Sequence, residues 1–167
     1  MDGEGTGTVV VGVDGSPGSR AAVEHALEDA ARRGARLRAV VAAQLPEYWA
    51  TAYGMVAPPP ISEVLASARD AGQEMVDEVL AARPDLAARV EVSVEARAGA
   101  AGRVLLDAAD GADVLVIGHR GRGAMSSAML GSVGLHCVLH ASCPVTIVRS
   151  TRVAEAVARP EAAAVPV

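Results

Sequence analysis

The run Gly118-His119-Arg120-Gly121, followed nine residues later by Gly131-Ser132, combines residue types that suit the capture of a phosphate. Glycines let a backbone come close to a ligand and adopt positive φ. A helix opening at Ser132 would turn the unpaired N–H groups of Ser132, Val133 and Gly134 toward an anion. The Ser132 hydroxyl adds a donor, and Arg120 and Arg122 bring positive charge into the loop. A glycine loop without a ligand is the competing reading. Its place after an apolar β-branched run and before a helical pattern favours the phosphate.

A second candidate is Asp14-Gly15 in Asp14-Gly15-Ser16-Pro17, directly after Val9-Val10-Val11-Gly12-Val13. Aspartate is a common turn residue here. Beside a second strand-end loop it also reads as a ligand for a ribose hydroxyl or for Mg²⁺. His136 and His140 stand four apart on one helix, with Cys137 and Cys143 near them. Zinc can use such ligands, but Cys137 is rotated away from the pair, and a packed helix face is the better reading. His25 reads as a surface or boundary residue. Tyr48, Trp49 and Tyr53 fall in one loop and suit either an adenine pocket, a partner surface, or simple packing onto the next helix.

Elements of alternating type must position these residues. Val9–Val13 and Val114–Ile117 are continuous apolar runs, expected of strands buried on both faces. Leu37–Ala43 is a further strand, Val145–Val148 the last. Val90, Val92 and Val94 alternate with Glu91, Ser93 and Glu95, which predicts a half-exposed strand at a sheet edge. Ser16 is a good N-cap for a helix with Pro17 at its first position, closed by Gly34. Ser62 should open a long helix ending before Pro84. Gly102–Ala109 should be short and stopped by Gly111, and Ser132–His140 is the last helix. The order βαβαβαβαβ predicts an α/β, three-layer, doubly wound parallel sheet with helices on both faces. Ligands of such sheets bind at the carboxyl ends of the strands, here Asp14 and Gly118.

Gly-x2-Gly-x9-Gly-Ser, the opening Val-Gly-Val-Asp-Gly-Ser and the closing His140-Ala-Ser-Cys143-Pro144-Val145-Thr-Ile-Val-Arg149 together resemble the ATP-binding branch of the universal stress protein family, over roughly residues 8 to 149. The resemblance implies five strands in the order 3-2-1-4-5, an adenine nucleotide such as ATP with Mg²⁺, and homodimers. It puts Asp14 at the ribose or a phosphate-bound metal. Val41 and Ala42 come to lie where the second strand offers backbone to adenine. Gly118, Gly121, Gly131 and Ser132 match the phosphate motif, with His119 and Arg120 inside it and the Val133 backbone beside it. Gly134 departs from the pattern, since many members carry a hydroxyl there. One missing hydrogen bond is worth about 1 kcal/mol.

Composition narrows the function. The 167 residues make one domain, expected over 8–149, with a flexible start at 1–7 and a mobile Ala/Pro-rich tail at 150–167. All 15 basic residues are arginine. Without lysine there is no Walker A loop, no Schiff base and no phosphorylated receiver site. A net charge of −5 argues against nucleic acid as a partner. No apolar stretch reaches the ~18 residues of a membrane span, and Met1–Gly7 lacks a signal-peptide pattern. A cytoplasmic protein is expected, and two cysteines make no disulfide framework. The leading expectation is a nucleotide-binding stress or signalling protein with slow or no hydrolysis, since His119 alone suits a base. A nucleotide hydrolase or phosphotransferase, or a module for AMP or cyclic AMP, are the alternatives. The last strand, Val145–Val148, should be an open edge that pairs with a second copy.

Overall fold

The computed structural model describes residues 7–44, 59–121 and 130–150. Five strands form one parallel sheet: β1 (Thr8–Val13), β2 (Arg36–Ala43), β3 (Val92–Ala98), β4 (Val114–Gly118) and β5 (Val145–Val148). Their spatial order is β3-β2-β1-β4-β5, as expected. The helices are α1 (Pro17–Arg33), α2 (Ile61–Ala82), the single turn α3 (Pro84–Ala87), α4 (Ala101–Ala109) and α5 (Ser132–His140).

The apolar run of β1 has a direct cause. Val9, Val10 and Val11 are wholly buried because β1 is the central strand and both its faces are covered. Val9, Val11 and Val13 point to α1 and α2, where Val23, Leu27, Val76 and Val79 complete one core. Val10 points the other way, to a second core with Val104 and Leu105 of α4 and Cys137 of α5. At the start of α1 the Ser16 hydroxyl accepts the Ser19 N–H at 3.1 Å, with Pro17 following it. Gly34 ends the helix at φ 64°, a left-handed conformation that glycine adopts without steric cost. Gly72 lets α2 sit close on β2, since a Cβ there would stand 2.5 Å from Cγ2 of Val41.

Most boundaries fall within one residue of the sequence pattern, and two elements depart from it for a visible reason. The long helix opens at Ile61, not Ser62. Pro60 is its N-cap, and the Pro60 carbonyl accepts the N–H groups of Glu63 and Val64 at 3.0 and 3.2 Å. Ser62 thus lies inside the first turn and caps nothing. The third strand begins at Val92 and runs on to Ala98, because β2 pairs with it in register from Leu37↔Val92 to Ala43↔Ala98. That pairing carries the strand through Arg97, a charge that gives no apolar signal. Its place at an edge, partly exposed, is as expected.

Candidate functional site

Registers across the sheet bring four strand ends level. β1 and β2 pair up to Val13↔Val41, β1 and β4 through Val11↔Val116, and β4 and β5 up to Gly118↔Val148. Continuing each parallel register past the last pair aligns Ala42, Asp14, His119 and Arg149 in one row at the carboxyl ends. This is the crevice where the crossovers on either side of β1 and β4 diverge to opposite faces of the sheet, the usual ligand position in such folds.

Asp14 caps its own turn. Its Oδ1 accepts the Ser16 N–H at 2.9 Å, while its Oδ2 lies against Gly121. Gly15 carries φ 83° in that turn. The Ser16 hydroxyl, besides capping α1, reaches the Arg120 carbonyl at 3.4 Å. The β1–α1 turn and the loop after β4 are therefore one packed unit. Asp14 and Arg120 both make further polar contacts.

The glycines serve close packing and not an unusual backbone. A Cβ on Gly118 would stand 2.6 Å from the Gly18 carbonyl carbon and 3.0 Å from the Ser19 nitrogen. A Cβ on Gly121 would strike the Asp14 carboxylate. Among the described residues positive φ occurs only at Gly15, Gly34, Gly99 and Gly111. The expectation of positive φ in the 118–121 and 131 glycines is thus corrected: helix α1 presses on the loop, and space is what these positions need. Gly131 differs again: among the described residues a Cβ there would meet the His119 oxygen at 3.6 Å and the Arg120 Cα at 3.8 Å, both ordinary contacts.

Gly131 is also the N-cap of α5, with φ −62°, and it brings no side-chain cap. Its N–H donates to the His119 carbonyl at 3.2 Å, which seats the helix start on the end of β4. The N–H groups of Ser132, Val133 and Gly134 head the helix, where the first turn has no intrahelical acceptors. Ser132 and Val133 are exposed. Gly134 is buried beneath Leu130, whose Cδ1 would be 2.7 Å from an added Cβ. A side chain at 134 would have to displace the end of that leucine.

His119 is 9% exposed. Its N–H donates to the Val148 carbonyl at 2.7 Å. Burial pushes its pKa below the ordinary imidazole value, and the positive charges of Arg149 and Arg120 push the same way. The ring is therefore neutral at pH 7. Arg149, one residue past β5 and exposed, was passed over in the sequence except as the end of the closing motif.

Val41 turns its side chain to Gly72 of α2. Ala42 lies one residue past the last β1–β2 pair, Val13↔Val41, and is matched with Arg97 of β3. Arg122, Tyr48, Trp49 and Tyr53 lie outside the described residues, as do 1–6 and 151–167.

The His136–His140 pair gathers no metal ligands. The rings lie 4.5 Å apart and His140 Nδ1 is 2.8 Å from the His136 carbonyl. Both residues are exposed, while Cys137 is wholly buried in the core beneath α5. The expected packed face is present in part: Gly134 and Cys137 are buried and the His136 ring lies over Gly102 of α4, while His140 stays exposed. Among the described residues no group of three or more His, Cys, Asp or Glu is placed to hold a metal ion. No described helix is long and apolar enough to cross a membrane.

Comparison with known proteins places this architecture. A universal stress protein of Mycolicibacterium smegmatis is 31% identical over 141 residues, covering 84% of this chain and 45% of that protein. The chain spans about half the length of the curated relatives it matches. A universal stress protein solved in complex with cAMP is 28% identical with a TM-score of 0.53, covering 87% of this chain and 98% of the other. A universal stress protein from Lactobacillus plantarum shares the fold with a TM-score of 0.63 at 23% identity, covering 86% and 97%. The model of the universal stress protein family matches residues 5–149, nearly the whole described fold, and the chain belongs to that family.

Proposed function

We propose that this chain binds an adenine nucleotide, ATP with Mg²⁺ foremost, in the crevice across the ends of β2, β1 and β4. The observation that carries the reading is the row Ala42, Asp14, His119 standing beside the uncapped start of α5. The end of β2 at Ala42, with Val41 beside it, would meet the adenine edge. Asp14 would accept a ribose hydroxyl or hold the metal. The Ser132 hydroxyl and the N–H groups of Ser132, Val133 and Gly134 would take the phosphates. Gly118 and Gly121 let the loop lie close against α1 and Asp14, and Gly131 puts no side chain over the helix start. Gly15, His119 and Arg120 line the same unit. Asp14 offers one carboxylate only, so Mg²⁺ would be held mainly by the nucleotide's own phosphates.

The role is binding and signalling in a stress response, with slow or no hydrolysis. His119 is the candidate base, yet its ring has no hydrogen-bond partner to orient it among the described residues. One universal stress protein was solved in complex with cAMP, which supports a mononucleotide as an alternative ligand. The assembly is a homodimer through β5, an open sheet edge.

The test is direct. The purified protein is heat-denatured and the released small molecules are identified by chromatography and mass. The same protein is titrated calorimetrically with ATP, AMP and cyclic AMP, with and without Mg²⁺. An adenine nucleotide in the supernatant, or saturable heat with one of the three, is expected. No nucleotide released and no heat with any of them overturns the reading.

A further inference from the structure

We propose that Arg149 is a specificity determinant of the site, favouring nucleotides with two or three phosphates over monophosphates. This rests on the nucleotide reading above. The register Gly118↔Val148 and the His119 N–H to Val148 carbonyl bond at 2.7 Å bring Arg149 alongside His119. Arg149 is therefore the fourth member of the row that begins at Ala42.

Distance along that row decides which phosphate it meets. Neighbouring strands lie about 4.8 Å apart, so the end of β5 stands about 10 Å from the end of β1, with β4 between them. A nucleotide with its base at β2 and its ribose at Asp14 has its first phosphorus bonded directly to the sugar. That phosphate falls near the end of β4 and the start of α5. Only the phosphates beyond it extend toward β5. A guanidinium there matches them in charge and in its fork of donors.

Charge supports the placement. Arg149 is exposed and no carboxylate pairs with it among the described residues, unlike Arg20, Arg33 or Arg83, each of which has an acidic partner. With Arg120 it makes this end of the row positive, enough to disfavour the protonated form of His119. A second positive charge is what a longer, more anionic phosphate chain needs and a monophosphate does not.

The experiment measures Kd for AMP, ADP and ATP on wild type, Arg149→Gln and Arg149→Lys, with thermal melting and light scattering to show an unchanged fold and mass. Arg149→Gln is expected to weaken ATP and ADP about tenfold and AMP by less than about twofold. Arg149→Lys, which keeps the charge, should retain most of the preference. An ATP-to-AMP ratio equal in wild type and Arg149→Gln overturns the proposal while leaving the nucleotide site standing. Failure of wild type to bind any of the three removes the site reading, and this inference with it.

Discussion

A Cβ on Gly131 would sit in ordinary contact with the described residues, 3.6 Å from the His119 oxygen, at the N-cap position beside the N–H groups that open α5. Gly131→Val should therefore fold and melt like wild type while nucleotide binding is lost, read by calorimetric titration. Wild-type affinity in the folded variant would remove the phosphate role. Asp14→Ala should weaken ATP by about 1.5–3 kcal/mol, the worth of a charge-assisted hydrogen bond, and flatten the Mg²⁺ dependence. Unchanged affinity with and without Mg²⁺ would leave Asp14 as the turn residue that its bond to the Ser16 N–H already makes it. His119 predicts a pH effect of definite sign. Its folded pKa is lowered, so the unfolded chain binds the proton first as pH falls. Its contribution is complete above about pH 6.5, the unfolded imidazole value, and is lost as pH falls below it. Urea midpoints at pH 7.5 and 5.5 should drop further for wild type than for His119→Gln. An equal drop in both would show that His119 does not titrate differently on folding.

At the scale of elements, the N-terminus of α1 is the joint of the site. One hydroxyl, Ser16, accepts the Ser19 N–H and donates to the Arg120 carbonyl, so helix start and phosphate loop share a residue. Ser19 braces the same turn, accepting the Asp14 N–H and donating to the Ser16 carbonyl. Ser16→Ala should cost about 1 kcal/mol in denaturant unfolding, as lost N-caps do. Ser16→Thr, which keeps the oxygen, should recover most of it. Equal stability of Ser16→Ala and wild type would mean that water replaces the cap. Helix α5 is held differently. Gly134 and Cys137 face the core and His136 lies over Gly102 of α4, while Leu135, Val138 and Leu139 stay 52%, 48% and 68% exposed.

For the whole molecule, that exposed apolar line runs into β5 through residues 141–144, and β5 is an edge whose four residues are only partly buried. A sheet edge with apolar surface beside it favours a two-fold pairing with a second copy. The proposed homodimer predicts a light-scattering mass near twice the 16.9 kDa of the chain at micromolar concentration. Ile147 packs inward against the α4–α5 core, so Ile147→Lys would test the fold as much as the interface. Leu139→Glu, on the exposed side of α5, should shift the equilibrium toward monomer without lowering stability of the fold. A wild-type mass of one chain would remove the interface.

What the sequence determined by itself were the features that local physics dictates. Continuous valine runs signalled strands buried on both faces. Ser16, Pro17 and Gly34 marked the ends of α1, and the spacing from Gly118 to Ser132 marked a strand-to-helix loop. These are legible because periodicity, capping and glycine spacing act over a few residues. Tertiary structure decided what depends on distant neighbours. Pairing with β2 drew the third strand on to Ala98. Packing of α1 on the loop, and not backbone conformation, explained Gly118. Arg149 took its place beside His119 only because β4 and β5 pair in register, and a register joins residues thirty apart that no local pattern connects.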